Sequence, residues 1–354
     1  MSARMPTLAL SGDLLRWLRA GEPWAKLDWR LRAALVWKSG WADLNSRLSH
    51  AQLRDAPPLR APLLIVGPWR SGTTVMHELL TAATGLPTPL TWQCMNPCAF
   101  QLLGSGPKQA PIARPMDGLE IGAHTPQEDE FALLGLGVAS AYRAFLMPSR
   151  LAELAHTLDQ QHWLNDGTWL PRWEAFLQGV LQSQGRAGER LILKSPNHTF
   201  RLQAILRRFP DAQVVWMSRD PANTFHSNEK MWRAMFTEHA LEPAGTNDLQ
   251  AFLGRALLAS ADTLDWLDHH MAPGTLVVCG QDELLRDPAS TIRHVCEQLG
   301  LPDTVGPAAL QAAIKRTQRG KVDRYEAKAP ASIKPALQAL QAAQARAQLR
   351  FRDS

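Results

Sequence analysis

Pro62-Leu63-Leu64-Ile65-Val66-Gly67-Pro68-Trp69-Arg70-Ser71-Gly72-Thr73-Thr74-Val75-Met76-His77 joins a short apolar run to a glycine-bounded turn and then to a helical pattern. The run is too short for a helix and carries no polar alternation, so it predicts a strand buried on both faces of a parallel sheet. A turn between such a strand and a helix aims successive backbone N–H groups into one concavity at the helix's positive end, where an anion is held. Gly67 and Gly72 keep the G-x-x-x-x-G spacing of a phosphate loop. Thr73, however, stands where the lysine of a nucleotide triphosphatase reaches the β- and γ-phosphates, which argues against ATP or GTP hydrolysis. The positive charge sits inside the loop instead, at Arg70. Arg70, Ser71, Gly72, Thr73 and Thr74 together form a candidate site for a nucleotide's 5′-phosphate.

Outward from this loop the chain alternates strands and helices. Further short apolar runs at 190–193, 213–217 and 275–279 predict three more buried strands. Helical patterns at 74–83, 199–209, 223–235, 249–270 and 289–299 separate them. Such alternation predicts one α/β domain layered around a parallel sheet. Lys194 ends the second strand and Arg219 the third. Asp220 is a helix N-cap with Pro221 in the first turn, and Ser227 lies eight residues past Arg219. Ligands of open α/β sheets lie at the carboxyl ends of the strands. The loop, Lys194, Arg219 and Ser227 are therefore expected at one crevice, the last two suited to a terminal phosphate.

These separate, correctly ordered segments resemble the sulfotransferase superfamily. The matching stretches are Gly67-Pro68-Trp69-Arg70-Ser71-Gly72-Thr73-Thr74, Leu193-Lys194-Ser195-Pro196 and Arg219-Asp220-Pro221 with Ser227. The chain is most similar to the bacterial sulfotransferase-like group, itself similar to protein-tyrosine sulfotransferases. The resemblance implies a three-layer P-loop-type α/β fold with a mostly parallel central sheet. It also implies transfer of a sulfuryl group from 3′-phosphoadenosine 5′-phosphosulfate (PAPS) to a hydroxyl or amine, without a metal. In that scheme the loop grips the 5′-phosphosulfate, Arg219 and Ser227 hold the 3′-phosphate, and Lys194 stands near the transferring group. Gln281-Asp282-Glu283-Leu284-Leu285-Arg286-Asp287-Pro288 resembles a family segment that begins with Tyr, and the stretch holding Lys321 resembles its late basic motif.

The general base is less defined. Many relatives carry Glu about twenty residues after the loop, and here the matching residue is Gln93, which accepts no proton at neutral pH. The alternatives are His124 and Glu128, in His124-Thr125-Pro126-Gln127-Glu128-Asp129-Glu130, which resembles a His-x-x-Pro-Glu-Glu segment of the family. An unperturbed imidazole titrates near neutrality. For Glu128 the alternative role is capping the helix that begins near Phe131. Arg70 and Lys194 stabilise the sulfuryl oxygens and the leaving phosphate in this scheme.

The rest of the sequence bounds the reading. Of 354 residues, 45% are apolar and 20% charged, which suits a globular protein. No apolar run reaches the eighteen residues of a membrane-spanning helix. Arg4, Asp13, Arg16 and Arg19 interrupt any signal-peptide pattern, so a cytoplasmic protein is expected. Thirty-eight Lys and Arg against 33 Asp and Glu favour an anionic ligand without amounting to a nucleic-acid-binding tail. Four cysteines, two of them at Cys94 and Cys98, lack the partners of a zinc site. Residues 1–58 are expected as a helical extension packed on the core, 59–330 as the α/β domain, and 331–354 as a terminal helix. The helical pattern of 13–53 includes Trp24, Trp37 and Trp41, whose expected role is core packing, with a surface anchor rich in Trp and Arg as the alternative. Trp69, Trp92 and Phe100 suit either an apolar acceptor pocket or the core, with core favoured for Trp92. The acceptor is a hydroxyl-bearing small molecule, lipid or peptide. Two other readings fit parts of the pattern: a nucleotide-binding protein without turnover, and a metal-dependent P-loop kinase.

Overall fold

The computed structural model describes residues 10–51, 56–107, 112–113, 120–242, 248–302, 307–318, 325 and 329–351. Six strands lie among them: β1 Leu63–Val66, β2 Ile112–Ala113, β3 Glu120–Ile121, β4 Ile192–Lys194, β5 Gln213–Ser218 and β6 Leu276–Gly280. Four form a parallel sheet in the order β4-β1-β5-β6, with β1 at its centre. Ile65 pairs with Lys194 and Val66 with Trp216, so the ends of these strands share one edge.

Strand alternation explains why the runs are apolar throughout. Leu64, Val66, Leu193, Val214 and Trp216 face one layer. Leu63, Ile65, Ile192, Val215 and Met217 face the other, against Met76, Leu79 and Leu80 of the helix Thr73–Thr84. Each such side chain, fully buried, contributes about 1.5–3 kcal/mol. The first layer is large and aromatic. Trp163, Trp169, Trp173, Trp216 and Trp232 are all buried in it, with the helices Trp169–Ser183, Pro221–His239 and Leu249–His270.

Both ends of the chain pack on this layer. Leu14, Leu18 and Leu35 join its buried cluster from the N-terminal helices. The helix Lys334–Phe351 buries Ala336, Leu340, Ala343 and Ala347, a helical stripe laid on Leu249–His270. Gly254 lets the two approach, because a Cβ there would lie 2.9 Å from Ile333 Cδ1.

Three details depart from expectation. The stretch 199–209 begins as a 3-10 turn, Pro196–Arg201, before the α-helix Leu202–Arg208, because Pro196 and the Ser195 cap set the turn first. The glycine- and proline-rich stretch 104–128 contains the short antiparallel pair β2–β3. Most importantly, Trp24 packs against the core as expected, but the tryptophans of the helix that follows it do not. On the helix Trp29–Ala51, Trp29, Trp37 and Trp41 are 65%, 72% and 57% exposed. Leu35, Ser39 and Ala42 occupy the buried face instead.

Candidate functional site

The loop after β1 is built on constrained backbone. Gly67 has φ 130°, and a Cβ there would sit 2.4 Å from the Met217 carbonyl oxygen on β5, so only glycine fits. Thr199 ties the loop's start down: its Oγ1 accepts from Gly67 N and donates to Gly67 O, both at 3.0 Å. Arg70 is the only non-glycine residue with positive φ, 67°, among the described residues. That conformation costs about 1–3 kcal/mol and persists only where neighbours impose it. Here Arg219 Nη1 donates to Arg70 O (2.9 Å), Asn228 Nδ2 donates to Trp69 O (2.8 Å), and Ser71 Oγ donates to Pro68 O (2.7 Å). Gly72 then caps the helix Thr73–Thr84.

The phosphate candidates meet as the sequence predicts. Arg70 Nε donates to Ser227 Oγ at 3.2 Å, and Arg219 reaches the same turn through its carbonyl. Asp220 accepts from Asn223 N at 2.8 Å and so starts the helix that carries Ser227. Burial, and then the neighbouring Arg70 charge, push the Arg219 guanidinium below its usual value, against an upward pull from Tyr325, Asp282 and Asp220. Two guanidiniums held this close favour an anion between them. Beside Arg219 opens a cavity of about 330 Å³ lined by Ser218, Asp220, Gly280, Gln281 and Gln344. Gln281 packs against Gly72, where a Cβ would lie 3.1 Å from its Cγ. Lys321 lies outside the described residues.

Lys194 projects from the end of β4 into the crevice. Its Nζ lies 2.6 Å from Glu128 Oε1 and 3.4 Å from Thr74 Oγ1, so it links the loop to a carboxylate. Tyr142 donates to the other oxygen, Glu128 Oε2, at 2.9 Å. Burial, then the Glu128 and Glu130 charges, push that phenol well above its usual range, which keeps its proton in place. Glu128 is held by its own strip of chain: Pro126 bridges Leu90, Gln127 N donates to Pro89 O (2.9 Å), and Trp92 N donates to Ala123 O (3.0 Å).

Sequence reasoning missed what stands behind this pair. Asp129 accepts from His198 Nε2 (2.8 Å) and Trp173 Nε1 (2.6 Å). Arg201 pairs with Glu130 and lies over the Trp163 ring at 4.1 Å. Glu128, Asp129 and Glu130 thus each meet a cationic or ring partner from Lys194, His198 and Arg201. Three consecutive acids facing a basic 0, +4, +7 pattern were the available signal. Burial alone would raise Asp129, but His198, Trp173 and Arg201 together hold its carboxyl below the usual range.

The other candidates stand in different surroundings. His124 is exposed. Gln93 is fully buried and structural: its Oε1 accepts from Leu90 N (2.8 Å) and its Nε2 donates to Ser183 Oγ (2.8 Å). Trp69, Trp92 and Phe100 are all buried in the core cluster, Trp69 against Phe200 and Trp232. Among the described residues, no three His, Cys, Asp or Glu side chains gather as a metal set. None of the described helices is long and apolar enough to cross a membrane.

Residues 62–305 match the profile of the sulfotransferase family. Over 251 residues the chain is 29% identical to the omega-hydroxy-beta-dihydromenaquinone-9 sulfotransferase Stf3 of Mycobacterium bovis, and equally to that of Mycobacterium tuberculosis. The match covers 68% of this chain but only 63% of the length of those relatives. Two crystal structures share the fold. Sulfotransferase STF9 from Mycobacterium avium superposes with a TM-score of 0.61 at 21% identity, over 86% of this chain and 81% of its own. Sulfotransferase STF1 from Mycobacterium tuberculosis does so at 0.60 and 18% identity, over 93% and 92%.

Proposed function

The chain belongs to the sulfotransferase family, and from that footing we propose that it moves the sulfuryl group of PAPS to a hydroxyl on a lipid acceptor. The observation that carries the proposal is the Glu128–Lys194 pair at the mouth of the phosphate loop, 2.6 Å apart with Thr74 on the lysine's other side. The donor's 5′-phosphate fits the loop amides with Arg70, Ser71, Gly72, Thr73 and Thr74. Its 3′-phosphate fits Arg219 and Ser227. Lys194 then faces the sulfuryl oxygens with Glu128 beside the acceptor.

In the transfer the acceptor O–H gives its proton to Glu128 while its oxygen bonds to sulfur. The bond from sulfur to the 5′-phosphate oxygen breaks in line with that attack and releases adenosine 3′,5′-bisphosphate. Arg70, Lys194 and the loop N–H groups meet the charge that grows on the leaving phosphate. Positioning does most of the work, as in phosphoryl transfer, and the scheme calls for no metal ion. Glu128 is a better candidate for the base than exposed His124 because it is oriented by two donors and stands beside Lys194. The lipid acceptor is inferred from the likeness to Stf3, named for an omega-hydroxylated menaquinone.

The test is conversion of PAPS to the bisphosphate with an omega-hydroxylated isoprenoid quinone as acceptor. Glu128→Gln is expected to lower kcat by about 10²–10⁴-fold, the span of general-base contributions, while bisphosphate affinity stays within a few-fold of the parent. Full turnover by Glu128→Gln contradicts its assignment as base.

A further inference from the structure

The helix Trp29–Ala51 carries an apolar surface that the described residues do not cover. Eleven large apolar side chains are exposed among the described residues, and six of them are Trp29, Val36, Trp37, Trp41, Leu44 and Leu48 of this helix. With Ala33 and Gly40 they fall within an arc of about 140° at 100° per residue. The Trp37 and Trp41 rings stack 6.4 Å apart with their planes 6° from parallel. Leu102 and Leu103, two more of the exposed set, lie on the helix Phe100–Leu103 that packs beside it. The opposite face is apolar because it is core, through Leu35 and Ala42. A helix with apolar residues on two opposite faces ordinarily has both covered, and this one does not.

The charges around the stripe say what covers it. Trp29–Ala51 holds Arg30, Arg32, Lys38 and Arg47 against Asp43 alone. By helical geometry Arg32 and Lys38 flank the two sides of the stripe, and Arg30 and Arg47 sit near its ends. Asp43 is turned inward, where its Oδ1 accepts from Gly12 N at 2.9 Å. Asp28, just before the helix, accepts from Arg30 N at 2.8 Å. A second copy docked on the same stripe would set these cations against one another. An anionic bilayer meets both features, because tryptophans settle at the interface and flanking Lys and Arg reach the headgroups.

We propose that the Trp29–Ala51 face docks on the surface of an anionic membrane. The chain does not span the membrane there; the helix lies in the interface plane. Its bearing on catalysis rests on the sulfuryl-transfer reading: a protein seated this way meets a lipid acceptor at the bilayer surface. The docking itself does not depend on that reading, so its test involves no turnover.

The full chain is mixed with vesicles of phosphatidylglycerol and phosphatidylcholine in equal parts, or of phosphatidylcholine alone, and followed by cosedimentation and tryptophan emission. The expected result is binding with a blue shift on anionic vesicles, weakened about tenfold or more on neutral ones and at high salt. Trp37→Ser with Trp41→Ser and Leu44→Ser should remove the binding. Arg30→Ser with Arg47→Ser should weaken it while leaving the stripe intact. A cooperative urea transition with a midpoint close to the parent's shows that each variant is folded. Absence of vesicle binding by a folded parent chain overturns the proposal. So does binding that survives the triple substitution, or a dimer in sedimentation velocity that the triple substitution dissolves.

Discussion

Single residues at this site are held in conformations that make sense only together. Arg70 adopts a left-handed backbone, and Arg219, Ser227 and Asn228 all bond to its turn. The sequence announced Arg70, Arg219 and Ser227 by residue type and spacing, but the strain is visible only in the structure. Gln93 teaches the converse: it marks a departure from the family pattern in the sequence, yet its amide uses both a donor and an acceptor in a buried joint, a task a carboxylate lacks the donor to perform. His77 supplies a prediction at this scale. Its ring is buried beneath the sheet, Nε2 2.6 Å from Thr88 Oγ1. Burial, then the Lys194 charge, push its pKa down from 6.5 to about 3, against a weaker pull from Asp129. The unfolded chain takes up a proton below 6.5 and the folded chain resists until near 3, so stability is lost as pH falls through that window. The slope from this group approaches about 1.4 kcal/mol per pH unit. His162 and His239, also pushed down chiefly by burial, act in the same direction. Urea midpoints between pH 4 and 7 should therefore fall less steeply in His77→Gln than in the parent, and equal slopes would show that His77 is not buried neutral.

At the scale of elements, the strands were the most legible part. Runs such as 62–66 and 214–217 had no polar residue to place in water, so a sheet covered on both faces was the only economical reading. Less legible was the turn Pro196–Arg201, which looked like the start of a helix. As a 3-10 turn it spaces Lys194, His198 and Arg201 against three consecutive acids, and that match joins segments some seventy residues apart. Local periodicity carries no information about such a pairing. The exposed tryptophans were misread for a related reason: a helix that is apolar on two faces looks like core whichever face is covered. Arg201 and Glu130 are both buried, so breaking the pair strands a charge. Arg201→Met should cost about 3–5 kcal/mol in urea unfolding, and adding Glu130→Leu should recover much of it. A loss below about 1 kcal/mol, the range of an exposed pair, would mean that this joint does not hold the Glu128 strip.

For the whole molecule, the parallel sheet gathers residues from four distant stretches at one edge, and two groups of positive side chains stand out. One cluster, Arg70, Arg219 and Lys194, lines the crevice. Another borders the apolar N-terminal helix. Family membership was readable from the loop and strand-end motifs alone, because their residue types and their order along the chain are specific. The acceptor left no comparable mark, because apolar recognition is met by many combinations of side chains. The central claim is that the crevice holds a nucleotide carrying both a 5′- and a 3′-phosphate. It is tested most directly by calorimetric titration with adenosine 3′,5′-bisphosphate in metal-free buffer. The account predicts tight one-site binding, weakened about tenfold or more in Arg70→Ala and in Arg219→Ala, as the loss of a charge-assisted hydrogen bond requires. No binding of the bisphosphate, with ATP bound in magnesium instead, or equal affinity in both arginine variants, would contradict it.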